Sequence, residues 1–417
     1  MSAITLFPSQ LNGRVSAPPS KSDVHRALIC AALSGGICRI APVSMSNDIR
    51  ATVGCIRALG AEVKPDGDGM IIDGTDIFSN KKAVFDCGES GSTLRFFIPI
   101  AAAGGVDATF VGSGRLPERP IGIYLDSLPK AGVECVTKGG LPLSISGCLR
   151  GGDFHIPGNV SSQFITGLLL ALPLLEGDSN IILTTPLQSE SYIDMTVACM
   201  ERFGVKAERT DFGWFVKGGQ CYLPVDYRTD GDWSQAAFFM TAGAVSGDVT
   251  VSGLRRDSAQ GDRKIAELLG RFGAETELGE DFVRVKKSKL SAVDIDARDI
   301  PDLVPILAVC ASFAEGKTRI SGAERLRIKE SDRLKTTADM LNALGGRVEE
   351  TEDGLIIEGA GALSGGVVDG ANDHRIVMSA SVAALGCGKS VTITDRESVN
   401  KSYPEFFDEY FRLGGKA

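Results

Sequence analysis

A chain of 417 residues with 43% hydrophobic side chains and a net charge of −9 is too long for one ordinary core, so about two domains are expected. The negative balance argues against nucleic acid as a partner, and no apolar run reaches the length of a membrane span. Ten cysteines lack CxxC or CxH spacing and read as small core side chains kept reduced in a cytosol-like compartment, while three histidines are too few for a histidine-rich metal site.

The opening MSAITLFPSQ lacks the basic and apolar regions of a signal peptide, so a soluble, cytoplasmic protein is expected. After the short strand-like segments AITLF and GRVSAP comes an alanine-rich apolar helix, ALICAALSGG. An amphipathic helix follows, DIRATVGCIRALGA, and then an alternating pair of strands, AEVKPDGDGMIIDG. The order then repeats. Apolar helices recur at FFIPIAAAGG, FITGLLLALPLL, AAFFMTAGAVSG, LVPILAVCASFAEG and IVMSASVAALGCG; being hydrophobic nearly all round, each should be buried. Amphipathic helices recur at SYIDMTVACMERFGV and DRKIAELLGRFGA, and a further strand pair at GRVEETEDGLIIEG. Helix-ending glycines fall at Gly60, Gly132, Gly204, Gly273, Gly345 and Gly414, at intervals of 72, 72, 69, 72 and 69 residues. Such a period marks a repeat architecture. The reading is an α/β (α+β) fold of six βαβαββ-like units, three per domain, around buried parallel helices.

The sixth unit ends at Gly414-Gly415 without a strand pair, so the N-terminal segments are expected to supply its missing strands. Residues 1–18 then join 231–417 in one domain and residues 19–230 form the other, with the second crossing near YRTDGDWS (227–234).

Just before the buried helices stand SKSDVHR, ESGSTLR, VSSQ, GDWSQ, IPD and NDHR. Free N–H groups and the helix dipole make these positions attractive to anions. Ser161, Ser162 and Asp232 read equally well as simple N-caps. Lys21, Arg26, Arg95 and Arg375 do not, because a cation at a helix N-terminus is favourable only beside negative charge. RLRIKESDRLK (325–335) raises the same issue. Its charge would ordinarily mean a solvated face, yet with Ser331 as N-cap of a helix ending at Gly345, Arg333 lies in the first turn. These features together imply a polyanion site. GCGKS (386–390) and EGKT (315–318) lack the first glycine of a P-loop and read as turns.

The blocks PPSKSDVHRAL, GSTLR, LPERPIG, VSSQF, SYIDM, DIPDLVP, RIKESDRL, NDHRIVM and NKSYPEFF follow one another in an order that resembles the 5-enolpyruvylshikimate-3-phosphate synthases, over essentially the whole chain. The resemblance implies two domains of three inverted βαβαββ repeats each. It also implies transfer of the enolpyruvyl group of phosphoenolpyruvate to the 5-hydroxyl of shikimate 3-phosphate. Arginine and lysine supply the electrostatic stabilisation, so no metal or cofactor is expected, and two domains of this size can bury their own cores, so a monomer is expected. By the same resemblance, shikimate 3-phosphate would meet Lys21, Ser22, Arg26, Ser161, Ser162, Gln163, Ser189, Tyr192, Asp302 and Lys329. Phosphoenolpyruvate would meet Lys21, Gly91, Arg119, Gln163, Arg333, Arg375 and Lys401. Addition followed by elimination calls for a base at the hydroxyl and a group at C3 that gives and takes back a proton. Asp302 resembles the first and Glu330 is the candidate for the second, with Lys21 and His374 placed to protonate the departing phosphate; the division among Asp302, Lys21 and Glu330 stays open. Arg327 is expected to be structural. Glu89 and Arg325 depart from frequent asparagines, and Ser92 and Phe96 vary the loop after Gly91.

Two other readings compete. A UDP-N-acetylglucosamine enolpyruvyl transferase would place a reactive cysteine in the loop VGSGRLPERP, where Gly114 stands instead. A non-catalytic polyanion-binding repeat scaffold needs the buried helices but not Asp302 and Glu330 among the cations.

Overall fold

A computed structural model of the protein describes residues 2–417; Met1, the first residue of the N-terminal segment assigned above, lies outside them. The chain divides into two compact units, one of residues 1–20 with 230–417 and the other of residues 21–229. Each has its own apolar core.

The chain opens with β1 (Ile4–Leu6) and β2 (Asn12–Ser16) and then enters the continuous unit. Its first repeat is α1 (Lys21–Leu33), β3 (Ile37–Ala41), α2 (Asn47–Ala58), β4 (Glu62–Asp66) and β5 (Gly69–Asp73). The second is β6 (Lys82–Asp86), α3 (Gly91–Ala103), β7 (Asp107–Val111), the short α4 (Gly122–Ser127), β8 (Val133–Val136) and β9 (Leu143–Gly147). The third is β10 (Asp153–Ile156), α5 (Ser162–Ala171), β11 (Ser179–Leu183), α6 (Glu190–Arg202), β12 (Glu208–Thr210) and β13 (Gly213–Val216), after which β14 (Tyr227–Arg228) leaves the unit. In the discontinuous unit, α7 (Trp233–Ser246), β15 (Asp248–Ser252), α8 (Lys264–Phe272), β16 (Glu275–Leu278) and β17 (Phe282–Lys286) come first. Next are β18 (Ile295–Asp296), α9 (Val304–Ser312), β19 (Glu315–Ser321), α10 (Arg333–Ala343), β20 (Arg347–Glu350) and β21 (Leu355–Ala360). The last are β22 (Gly366–Val368), α11 (His374–Leu385), β23 (Val391–Ile393) and α12 (Phe406–Arg412).

Each repeat centres on one sheet, and five of the six sheets share one four-stranded pattern, while the sixth is the three-stranded β22-β23-β1. In the second, β6 lies parallel to β7 and the hairpin β8–β9 returns antiparallel, in the order β6-β7-β9-β8. Helices α1, α3, α5, α7, α9 and α11 supply the two cores and are buried along nearly their whole length. The six periodic glycines all adopt positive φ, between 79° and 116°. There the absence of Cβ lets the chain reverse into the following strand.

Three expectations need correction. The N-terminal strands do not both complete the sixth repeat. β1 pairs with β23, and Phe7 bridges to Lys416, but β2 lies parallel to β15 in the fourth sheet. In the second, third, fifth and sixth repeats the parallel first strand directly precedes the buried helix, whereas the first repeat takes it from β14 and the fourth from β2, so β2 is to α7 what β6 is to α3. EGKT (315–318) is not a turn but the start of β19, because α9 ends at Ser312. Among the cysteines, Cys148 and Cys221 are exposed and Cys135 is half-buried, while the other seven are buried.

Candidate active site

In the continuous unit the heads of α1, α3 and α5 are tied together by side chains. Arg26 is 3% exposed and donates through Nε to Thr196 Oγ1 (2.8 Å), Nη1 to the Ser22 carbonyl (2.5 Å) and Nη2 to the Tyr192 carbonyl (2.8 Å). Thr196 in turn meets Thr166 of α5 at 3.0 Å. Gln163 accepts from Arg95 Nη1 (2.5 Å) and donates to Ser92 Oγ (2.8 Å), with Ser161 capping α5 at the Gln163 amide and Ser162 opening the helix. Lys21 opens α1 and forms an ion pair with Asp48 of α2 at 2.6 Å. Ser189, buried before α6, holds φ 57°, a costly conformation for a residue with Cβ.

Gly91 and Arg119 form a close pair. A Cβ on Gly91 would stand 2.7–2.8 Å from the Arg119 guanidinium, so the absent side chain is what seats the arginine over the head of α3. Gly114 has positive φ, and a Cβ there would collide with the Glu89 carboxylate. The position where the rival reading needs a cysteine is thus filled by Glu89.

In the discontinuous unit three cations converge on Asp302, which lies in the 3₁₀ turn Pro301–Leu303 ahead of α9. Arg333 Nη1 is 3.0 Å away, Arg375 Nη2 3.3 Å and Lys329 Nζ 3.9 Å, and Arg375 also donates to the Asp302 carbonyl at 2.8 Å. Burial opposes ionisation of Asp302, but Arg375, Lys329 and Arg333 hold it well below the usual carboxylate range. Glu330 meets Arg333 Nη2 at 2.7 Å. The first residue of α10 is therefore a cation, as its sequence position suggested, and its countercharge comes from the protein's own carboxylates.

The largest share of that countercharge was missed in the sequence. Asp373 is fully buried. It accepts from Arg333 Nε (2.8 Å) and Nη2 (3.2 Å), from Ser331 Oγ (2.9 Å) and from the Arg375 amide (2.9 Å), so it caps α11 and fixes Arg333 at once. Its neighbour His374 is buried with Nδ1 3.8 Å from Asp373, and Lys401 donates to the Asn372 carbonyl at 2.6 Å. The expected N-cap of α10 is corrected: Asp332, not Ser331, accepts from the Lys335 amide, because Ser331 is committed to Asp373. Arg327 is held by Glu350, Asp332 and the carbonyls of Thr351 and Glu352, a framework role. Arg325 donates to the Arg298 carbonyl.

Two clusters result. Lys21, Ser22, Arg26, Gly91, Arg119, Ser161, Ser162, Gln163, Ser189 and Tyr192 fall in the continuous unit, and Asp302, Lys329, Glu330, Arg333, His374, Arg375 and Lys401 in the discontinuous one. The fold of these repeats is that of the enolpyruvyl transferase NikO from Streptomyces tendae, with TM-score 0.78 at 18% identity over 99% of this chain and 97% of that one. A structure of EPSP synthase from Acinetobacter baumannii matches with TM-score 0.83 at 27% identity, over 99% and 98% of the two chains. Residues 7–410 match the family described as EPSP synthase (3-phosphoshikimate 1-carboxyvinyltransferase). Proteins named 3-phosphoshikimate 1-carboxyvinyltransferase from Clostridium novyi and Clostridium kluyveri are 44% and 45% identical, over 100% of this chain and 98% of each relative. The chain belongs to the EPSP synthase family.

Proposed function

We propose that the protein transfers the enolpyruvyl group of phosphoenolpyruvate to the 5-hydroxyl of shikimate 3-phosphate, releasing phosphate, in the shikimate pathway toward the aromatic amino acids. It does so as a cytoplasmic monomer. Family membership supports the reaction, and the observation that carries the site is the convergence of Lys329, Arg333 and Arg375 on Asp302. Lys21, Ser22, Arg26, Ser161, Ser162, Gln163, Ser189, Tyr192, Asp302 and Lys329 take the shikimate phosphate and ring. Lys21, Gly91, Arg119, Gln163, Arg333, Arg375 and Lys401 take phosphoenolpyruvate.

Asp302 accepts the hydroxyl proton as oxygen bonds to C2, while Glu330 protonates C3. The tetrahedral adduct then loses phosphate, protonated by Lys21 or His374, and returns the C3 proton, which restores the double bond. In the ligand-free protein Asp302 is too strongly stabilised as an anion to be a good base. Substrate anions that draw Lys329 and Arg375 toward themselves remove that stabilisation and raise its basicity as the complex forms. Fixed cations then hold the charge that develops on the leaving phosphate.

Phosphate release from phosphoenolpyruvate, measured alone, with shikimate 3-phosphate and with UDP-N-acetylglucosamine, tests the reading. Release only with shikimate 3-phosphate is expected. Release only with the nucleotide sugar points to the sister activity, and binding of either anion without turnover points to a scaffold.

A further inference from the structure

One buried polar chain in the continuous unit is not used by the chemistry above. His25 Nδ1 lies 2.7 Å from Thr52 Oγ1, Thr52 Oγ1 lies 2.8 Å from Thr93 Oγ1, and Thr93 Oγ1 donates to Ser90 Oγ at 2.8 Å. Ser90 is the N-cap of α3, and its Oγ also accepts from the Thr93 amide. All four residues are at most 1% exposed. The chain joins α1 and α2 to the residue immediately before Gly91.

A hydroxyl carries one proton, and this fixes the direction of the whole chain. Thr93 gives its proton to Ser90, so Thr52 must give its own to Thr93. Thr52 has then none for His25, and the imidazole must be the donor through Nδ1–H. Its Nε2 is left as a bare lone pair, and in the structure that atom is buried without a hydrogen-bond partner. Protonating it is opposed by burial first and then by the charges of Lys21 and Arg26, and the Phe96 ring stands edge-on to the imidazole at 6.4 Å.

We propose that His25 is a positioning residue: fixed as the neutral Nδ1–H tautomer, it orients the relay His25–Thr52–Thr93–Ser90, and the relay sets the head of α3, where Gly91 seats Arg119, for binding the phosphoenolpyruvate anion. The functional half rests on the assignment of Gly91 and Arg119 made under Proposed function. The opposite tautomer would reverse every bond in the relay and turn Ser90's proton inward. In the observed direction that proton is uncommitted within the relay, at the head of a helix where an anion is held by donors.

With only three histidines in the chain, ¹⁵N-histidine labelling of the full-length protein resolves each ring, and the two-bond nitrogen–proton pattern reads the tautomer directly. His25→Asn identifies the signal. The expected result is an Nδ1–H ring that stays neutral from pH 8 down to 5.5; an Nε2–H tautomer, or titration inside that range, overturns the proposal. Steady-state kinetics test the consequence. Thr52→Val, which keeps the shape but cuts the relay, is expected to raise KM for phosphoenolpyruvate about three- to tenfold, the effect of one lost hydrogen bond. KM for shikimate 3-phosphate and kcat should stay within about twofold. His25→Asn, whose amide N–H can replace Nδ1–H, should restore KM for phosphoenolpyruvate to within about threefold of wild type. Equal changes in both KM values, or a lower melting temperature with neither KM moved, mean a purely structural network and overturn the positioning role. The spectroscopic result stands apart from turnover, so a wild-type protein inactive with shikimate 3-phosphate would refute the assigned reaction without deciding the tautomer.

Discussion

At the scale of single residues, the discontinuous unit separates two kinds of acid. Asp302 is a carboxylate made weakly basic by three cations, and Glu330 shares one of them. Asp302→Asn and Glu330→Gln should each lower kcat by roughly 10²–10⁴-fold, the usual contribution of a proton-transfer group, with much smaller changes in shikimate 3-phosphate affinity by calorimetry. Turnover within a few-fold of wild type in both variants would refute their roles. Asp262 is the opposite case. Burial first, and then the charge of Asp302, push its carboxyl up to about 7. Unfolded, the same group ionises near pH 4, so between about pH 4 and 7 the folded chain binds more protons than the unfolded one. Stability from this group is therefore lost as pH rises through that window. Asp262→Asn cannot ionise, and its melting temperature should exceed that of wild type by a margin that grows from pH 5 to pH 8. A margin that does not change with pH would contradict the assignment. Neither Asp262 nor Asp373 stood out in the sequence. An aspartate before a helix is usually a cap, and Asp373 is one. Its second task, holding Arg333 across 40 positions of chain, leaves no local pattern. The arginines were legible for the opposite reason: a cation in a first helical turn contradicts the dipole and calls for a partner.

At the scale of elements, the buried helices were legible because they are apolar on every face, which neither an exposed helix nor a half-buried strand tolerates. The left-handed glycines were legible through their spacing. The two-residue strands β14 and β18 and the 3₁₀ turns at 301–303 and 324–328 were not, since they are too short for a period and are defined by what they pair with or hold. Strand sharing among repeats was half legible. The incomplete sixth repeat announced a missing strand, but nothing in GRVSAP says that its partner is β15. Deleting residues 1–12 removes β1 and, with Ile4, Leu6 and Leu11, three buried aliphatic side chains, each worth roughly 1.5–3 kcal/mol of burial. The truncated protein should melt well below the full chain, whereas an unchanged melting curve would mean that β1 carries no stability.

At the scale of the whole molecule, the two units differ in how they are written along the chain. Residues 21–229 contain every strand of their three sheets and should fold alone, giving a cooperative melt and a dispersed amide spectrum. Residues 230–417 lack β1 and β2, which leaves β15 and β23 each without a neighbour. That fragment should fold poorly, and a permuted chain with residues 1–20 attached after residue 417 by a short linker should rescue it; the Phe7 amide already bonds the Lys416 carbonyl at 2.9 Å. A fragment as stable as its permuted form would contradict this. The interleaving also sets a timetable for synthesis on the ribosome. The continuous unit can finish while the chain is still growing, but β1 has no partner until residue 391 emerges. At about 5–20 residues per second that is a wait of roughly 20–80 s. A strand left unpaired for so long is a template for aggregation unless it is short or polar. β1 has three residues, and β2 points only Val15 inward among exposed polar neighbours. The opening strands are thus built to be harmless while they wait, which selects their length and polarity independently of anything the finished enzyme does.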